Sequence, residues 1–361
     1  MNSKQFPHSS GTNIIAILIY LKERHINILI IGGTRNLGLS IIELLHERGH
    51  KITVFNRGIT RAKLPADVER IYGDRSQKKD MEQALGSRSF DAVIDTTLYT
   101  GTEALATIDV LKNRTGHFLF ISTGQVYLVR KKIKRPFREE DYEGELIKAP
   151  PIKRESDYEN WLYGMNKREA EDHLFQAWKD FGFPVTSLRA PMIHGERDHY
   201  NRLLNYVRRL QDGGLFVIPV EPTPLVRHVY VEDVASVVVC LAESGQGKGR
   251  AYNLSQDESV SADYMIRMMA DMLETEFAMI AVPRARLEKA GLLPACSPFH
   301  GKWMSELDNT RSKKELGFSY TPLEEYLEKL VRYYVNHPEL QPAGFEEARE
   351  KEREIAQTAF D

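Results

Sequence analysis

Between Ile26 and Gly58 the chain reads INILIIGGTRNLGLSIIELLHERGHKITVFNRG, and no other stretch limits the possible folds as much. An apolar run meets two glycines, a helical pattern follows, and a second apolar run ends in Asn-Arg-Gly. Leu37, Ile41, Leu44 and Leu45 share one helical face, and Gly49 stops it. A glycine turn between a strand and a helix lets backbone N–H groups approach a phosphate at the helix N-terminus. Gly32, Gly33 and Gly38 stand at that junction, with Arg35 where a middle glycine is usual. The context carries the reading: a strand before, a helix after, and a second strand ending where a ribose is bound.

The same alternation runs on. "VERIYGD", "FDAVIDTT", "HFLFISTGQVY" and "FPVTSLRAP" read as further strands, with helix-like stretches such as Thr102–Lys112 between them. Strands alternating with helices predict an α/β fold, a Rossmann-type doubly wound parallel sheet covered on both faces. After about Gly195 the pattern loosens, which predicts a smaller C-terminal substrate lobe over the strand carboxyl ends. The expected organisation is an extension at 1–25 and an NAD(P)-binding domain at 26–194. A mainly substrate-binding lobe at 195–345 follows, with segments near 228–242 and 251–255 returning to the first domain. A charged helix at 346–361 closes the chain, either solvated or packed on the surface. Residues 128–161 are long, charged and Pro-containing without a period, and are expected as an insertion loop. Such loops are often functional or disordered. The segment is read either as a passive insertion or as a lid, with Arg130 to Arg135 near a substrate pyrophosphate and Tyr142 or Tyr158 over the base.

The ends of the strands carry the candidate chemistry. The second strand ends in Asn56 and Arg57, where an acidic residue would bind a ribose 2′-OH. A neutral and a cationic residue there, with Arg35 beside the phosphates, favour NADP, with NAD possible. Asp74 in "GDR" either accepts from an adenine amino group or caps a turn. "FISTGQVY" places Thr123 at the carboxyl edge of the sheet. Tyr163 and Lys167 are four apart in "WLYGMNKREAEDHL", on one helical face. An ammonium near a phenol stabilises phenolate, so the tyrosine can work as acid or base near neutral pH.

These motifs together resemble the extended short-chain dehydrogenase/reductases, the group of nucleotide-sugar epimerases, dehydratases and reductases. The resemblance runs from about Ile26 to Tyr334 through "GGTRNLG", "GDRS", "STGQVY", "YGMNK", "LRAPMIHG", "HVYVEDVA", "YNLS" and "DNTRSKKELGFSYTPLEEYLEKLVRYY". It implies Thr123, Tyr163 and Lys167 as catalytic hydroxyl, acid/base and phenolate stabiliser. It implies a cofactor groove drawing on Gly32, Thr34, Arg35, Asn36, Leu37, Gly38, Asn56, Arg57, Asp74, Arg75, Thr96 and Thr97, with Tyr163 and Lys167 also touching the cofactor. Ile193 is implied at the nicotinamide. Gln125, His194, Arg202 and Arg227 are candidates for the substrate side, with Arg197, Arg209 and His199 nearby. The implied activity is Tyr-mediated proton transfer with hydride transfer on a nucleotide-linked sugar, ending in epimerisation or net redox. Gly124 and Gln125 stand where the 4,6-dehydratases carry an Asp-Glu pair, which disfavours dehydration. "GGTR" turns occur in an atypical branch that includes the plant chloroplast stem-loop RNA-binding proteins. The alternative is therefore a catalytically weak Rossmann protein that binds RNA or senses NADPH.

Charge bears on that alternative. The formal net charge is −2, so no global field attracts nucleic acid, and the basic run Arg130–Arg135 is followed directly by Glu139, Glu140 and Asp141. Cys240 and Cys296 lie far apart, which fits a reducing cytoplasm and no cysteine metal site. No metal is expected. The apolar core Ile14–Tyr20 is too short to cross a bilayer, so no membrane role is expected. A homodimer is.

Overall fold

The computed structural model describes residues 25–359. The extension expected at 1–25 lies outside them except for His25. Eleven strands occur among the described residues: β1 (Asn27–Ile31), β2 (Lys51–Asn56), β3 (Glu69–Tyr72), β4 (Ala92–Asp95), β5 (Phe118–Thr123), β6 (Val185–Ala190), β7 (Ile193–His194), β8 (Leu215–Pro219), β9 (Val229–Tyr230), β10 (Arg250–Asn253) and β11 (Ala278–Val282). Seven form one parallel sheet in the order β10-β6-β5-β4-β1-β2-β3. β1 is paired with β2 on one side and β4 on the other, Ile30 facing Val54 and Ile94. The strand order reverses between β1 and β4. A ligand in an open sheet of this kind binds beyond the carboxyl ends at that reversal.

The central strands are apolar on both faces because both are covered. Ile28, Ile30 and Val54 pack with Ile41, Ile42 and Leu45 of the helix Asn36–Glu47 and with Val234 and Val238 of the helix Val231–Ser244. Leu29, Ile31 and Phe120 pack on the other face with Met81, Ala104, Ile108 and Leu174, from the helices Lys78–Leu85, Gly101–Leu111 and Glu155–Phe181. β10 adds the seventh strand beside β6. The second lobe holds two small parallel pairs, β8 with β11 and β7 with β9. Among the described residues no helix is long and apolar enough to cross a membrane.

Two segments differ from expectation. The 128–161 stretch is not a loose insertion, and its last part belongs to the helix that begins at Glu155. A bridge from Arg130 to Leu146 closes it, with Ile147 N–H donating to Val129 O at 2.8 Å. Phe137 and Tyr142 are buried with Val126, Tyr127 and Leu307. The Glu139 carboxylate accepts from Asn253 N–H at 2.8 Å, and Tyr142 donates to Asp172 at 2.8 Å. Tyr142 is therefore packing, not the cover of a base. The charged terminal helix, Phe345–Gln357, is docked by its charges. Arg349 and Glu352 are fully buried, Arg349 pairs with Asp212 at 2.8 Å, and Glu352 pairs with Arg209.

Candidate active site

The phosphate turn explains how an arginine replaces the middle glycine. Gly32 has φ +92, and a Cβ there would lie 2.5 Å from Thr96 Oγ1. A Cβ on Gly38 would lie 2.4 Å from the Gly33 Cα, so only glycine lets the helix close on the turn. Arg35 between them is extended, at φ −143 and ψ 148, a conformation open to any L residue. The left-handed demand falls on Asn36, at φ 34, and asparagine tolerates that region. Arg35 makes no side-chain cap bond. The first-turn N–H groups of the helix are thus left for a ligand. Gly33 N–H donates to Thr96 Oγ1 at 3.2 Å and Thr96 Oγ1 donates to Ile31 O at 3.0 Å, which ties the turn to the end of β4. Thr97 N–H donates to Asp95 Oδ1 at 2.9 Å.

Around this turn the candidate groove residues divide. Asn56 braces the turn: its Nδ2 donates to Gly32 O at 3.4 Å and its Oδ1 accepts from Gly58 N–H at 2.8 Å. Arg57 is exposed. Asp74 Oδ1 accepts from Ser76 N–H at 2.9 Å and Ser76 Oγ at 2.8 Å, the turn-capping arrangement. Arg75 requires a correction. It points into the sheet, donating to Asp95 Oδ2 at 2.6 Å and Thr107 Oγ1 at 2.9 Å, with Glu103 at 3.1 Å. Its charge neutralises the buried Asp95 and is not available to a cofactor.

Thr123 and Tyr163 come together as the spacing required. Tyr163 is 37% exposed, yet its hydroxyl end is enclosed. Burial pushes its pKa above the ordinary tyrosine value, and Tyr99 and Tyr200 push the same way. The Thr123 hydroxyl beside it and the Arg202 cation pull it back down. Lys167 differs from expectation, because its ammonium is turned inward. Nζ donates to Leu98 O at 2.7 Å and Ile121 O at 2.9 Å. Burial pushes its pKa down to about 7 against the opposing pull of Asp95 and Glu171. The cation that acts on Tyr163 here is Arg202, which Asp198 holds at 3.1 Å and which stacks on Tyr200 at 4.3 Å.

Below the site lies a buried ionic layer that the motifs missed. Ser122 donates to Glu171 Oε1 at 2.5 Å, and Arg189 Nη2 donates to Glu171 Oε2 at 2.5 Å. Arg189 Nη1 also donates to Tyr127 OH at 2.7 Å. Ser122 precedes Thr123, and Glu171 is four residues after Lys167, so these bonds fix the end of β5 against the helix Glu155–Phe181. The spacing Tyr163, Lys167, Glu171 on one helical face was the available signal.

Several substrate-side candidates are engaged by partners within the protein. His194 is fully buried, its Nε2 2.8 Å from His228 Nδ1, with Phe299 against its ring. It cannot line an open pocket. Gln125 is buried and donates to Asn160 Oδ1 at 2.8 Å. Arg227 donates to Ser259 Oγ at 2.9 Å and Leu307 O at 3.4 Å. Arg197 pairs with Glu43 at 2.6 Å and Arg209 with Glu352. Arg202 alone of the candidate arginines acts on Tyr163. Ile193 is half-buried at the start of β7, three residues after β6 ends.

A doubly wound parallel sheet with an uncapped phosphate turn at the strand reversal, and a Thr/Tyr pair at the carboxyl edge, defines a dinucleotide-binding α/β protein. The chain belongs to the NAD dependent epimerase/dehydratase family, whose model matches residues 28–255. It is 25% identical over 257 residues to the chloroplast stem-loop binding protein of 41 kDa b of Arabidopsis thaliana, covering 67% of this chain and 62% of that one. It is 25% identical over 170 residues to the 2′-dehydrokanamycin reductase of Streptomyces kanamyceticus, covering 47% of this chain and 44% of that one. The chain therefore matches less than two thirds of either relative's length. In fold it is similar to the UDP-glucose 4-epimerase of Thermotoga maritima, with a TM-score of 0.69, 19% identity, and 86% of this chain and 99% of that chain covered.

Proposed function

We propose that the protein is an NADP-preferring oxidoreductase or epimerase acting on a hydroxyl or keto carbon of a nucleotide-linked sugar. The observation that carries the reading is the Thr123–Tyr163 contact at the carboxyl edge, beside a turn built for a pyrophosphate. The turn fits a dinucleotide: backbone N–H groups of residues 34–37 lie at the uncapped helix end, and Arg35 supplies an exposed cation beside them. Arg57 stands at the ribose end and would pair with a 2′-phosphate. When bound, the nicotinamide supplies the hydride acceptor or donor.

The chain's own residues do the rest. Thr123 bonds the reacting oxygen and fixes it near Tyr163. Tyr163 takes the hydroxyl proton during oxidation and returns it during reduction. Arg202 favours its ionised form, which the enclosure of the hydroxyl opposes. Lys167, at the same edge, holds a proton that is easily given up near neutral pH. Gly124 and Gln125 offer no ionising pair for eliminating water, which counts against a dehydratase. Titrating NADP and NAD against the protein, then adding a panel of UDP-, GDP- and dTDP-linked sugars and reading nicotinamide fluorescence, tests the reading. A change with none of them would reject it. The similarity to a stem-loop binding protein supports a second reading, RNA recognition on the same fold. An RNA shift assay decides it, because phosphate binding weakens steeply with salt.

A further inference from the structure

Tyr99 has no place in the reaction as described, yet it stands in the site. It follows the Thr96–Thr97 turn at the end of β4, and its backbone is pinned, since Tyr99 N–H donates to Glu103 Oε2 at 2.7 Å. Its ring centroid is 6.3 Å from that of Tyr163, inclined by 50°. The same ring lies 5.0 Å from Lys167 Nζ, and the Phe120 ring lies 4.6 Å from Nζ. The carbonyl that accepts from Nζ at 2.7 Å belongs to Leu98, the residue before Tyr99. Lys167 is 2% exposed, whereas Tyr99 is 47% exposed. Tyr99 is thus an exposed ring that covers the buried ammonium.

We infer that Tyr99 is a positioning residue of this site, the aromatic roof that keeps the Lys167 ammonium dry and holds it apart from the cleft beside Tyr163. Two aromatic faces and two carbonyls then replace the water shell of the cation. A ring face attracts an ammonium, but less well than water does, so the roof on balance favours the neutral amine. That direction agrees with burial as the main cause of the lowered lysine pKa. The other groups acting on Lys167 are Asp95 from β4, Glu103 from the helix after Tyr99, Glu171 from its own helix, and Arg75. Arg75 is tied to Asp95 and Glu103, and Glu171 to Arg189, so removing Tyr99 disturbs none of these pairs. The roof thereby eases loss of the Lys167 proton.

The inference rests on the proposed reading of this site, and its test is independent of turnover. In protein carrying isotope-labelled lysine, the Cε resonance of Lys167, assigned by its loss in Lys167→Met, reports Nζ protonation. The wild-type resonance is expected to titrate near pH 7. Tyr99→Phe keeps the ring and should titrate there too. Tyr99→Ala and Tyr99→Leu admit water and should move the midpoint up by about one pH unit or more, a tenfold change in proton affinity. An unmoved midpoint in Tyr99→Ala, or an equal shift in Tyr99→Phe, overturns the roof. Loss of all turnover in the wild type, with the titration as expected, would instead reject the proposed reaction and leave Tyr99's role standing.

Discussion

Replacing Lys167 by methionine should change the pH dependence of stability in a defined window. The buried ammonium has a folded-state pKa of about 7 against 10.5 for a solvated lysine. Between those values the unfolded chain holds a proton that the folded chain has lost, so stability rises with pH. Below pH 7 both states are protonated and the penalty is constant. One pKa unit is worth about 1.36 kcal/mol. Integrated from pH 7 to 9 over the two lysine states, the wild type gains about 2 kcal/mol from this group. Other groups with shifted pKa values act alike in wild type and variant, so they cancel in the comparison. His117, pushed down to about 4 by burial, gains stability only as pH rises from there to its ordinary 6.5. Cys296, pushed up to about 12 by burial, loses stability only above its ordinary 9.0. Methionine fills the same space without a charge. Urea unfolding at pH 7 and 9 should show the wild type gaining about 2 kcal/mol more than Lys167→Met. Parallel profiles in the two proteins would refute a lysine that is deprotonating near neutrality.

Other outcomes follow from the same geometry. Tyr163→Phe should keep cofactor affinity and lose turnover by on the order of 100-fold or more, read as kcat at saturating substrate. Arg57→Ala should weaken NADP by about ten- to a hundredfold with little effect on NAD, because a charge-assisted contact is worth roughly 1.5–3 kcal/mol. Equal losses in the two titrations would mean that Arg57 does not read the phosphate. Glu171→Ala leaves Arg189 buried and unpaired, and should cost about 3–5 kcal/mol in a urea melt. A variant as stable as wild type would show that the layer beneath the site carries no net stability.

What could be read from the chain was what is local. The phosphate turn, its flanking strand and helix, and the Tyr163/Lys167 spacing all lie within a few residues of one another, so periodicity displays them. What was hidden depends on partners distant in sequence. Arg75 looks like a cofactor residue until Asp95, 20 residues on, claims it. His194 looks like a pocket residue until His228, 34 residues on, turns it inward. Arg209 is claimed by Glu352, 143 residues away, and the same contact makes a helix of surface composition an anchored one. The 128–161 stretch lacks a period because side chains pin it to other elements, Glu139 to β10 and Tyr142 to the long helix. Glu171 was within reach, one turn beyond Lys167. Tyr99 was not, since a tyrosine after a strand carries no pattern of its own.

The central claim is that Tyr163 moves a proton while the sugar carbon is oxidised or reduced. A single-turnover mixture of enzyme, excess NADP and each of a panel of nucleotide sugars, followed at the absorbance band of the reduced nicotinamide, tests it most directly. The account expects the band to rise with at least one sugar in the wild type, and at least about 100-fold more slowly in Tyr163→Phe. Equal rates in the two proteins, or no rise with any sugar while NADP is bound, would contradict it.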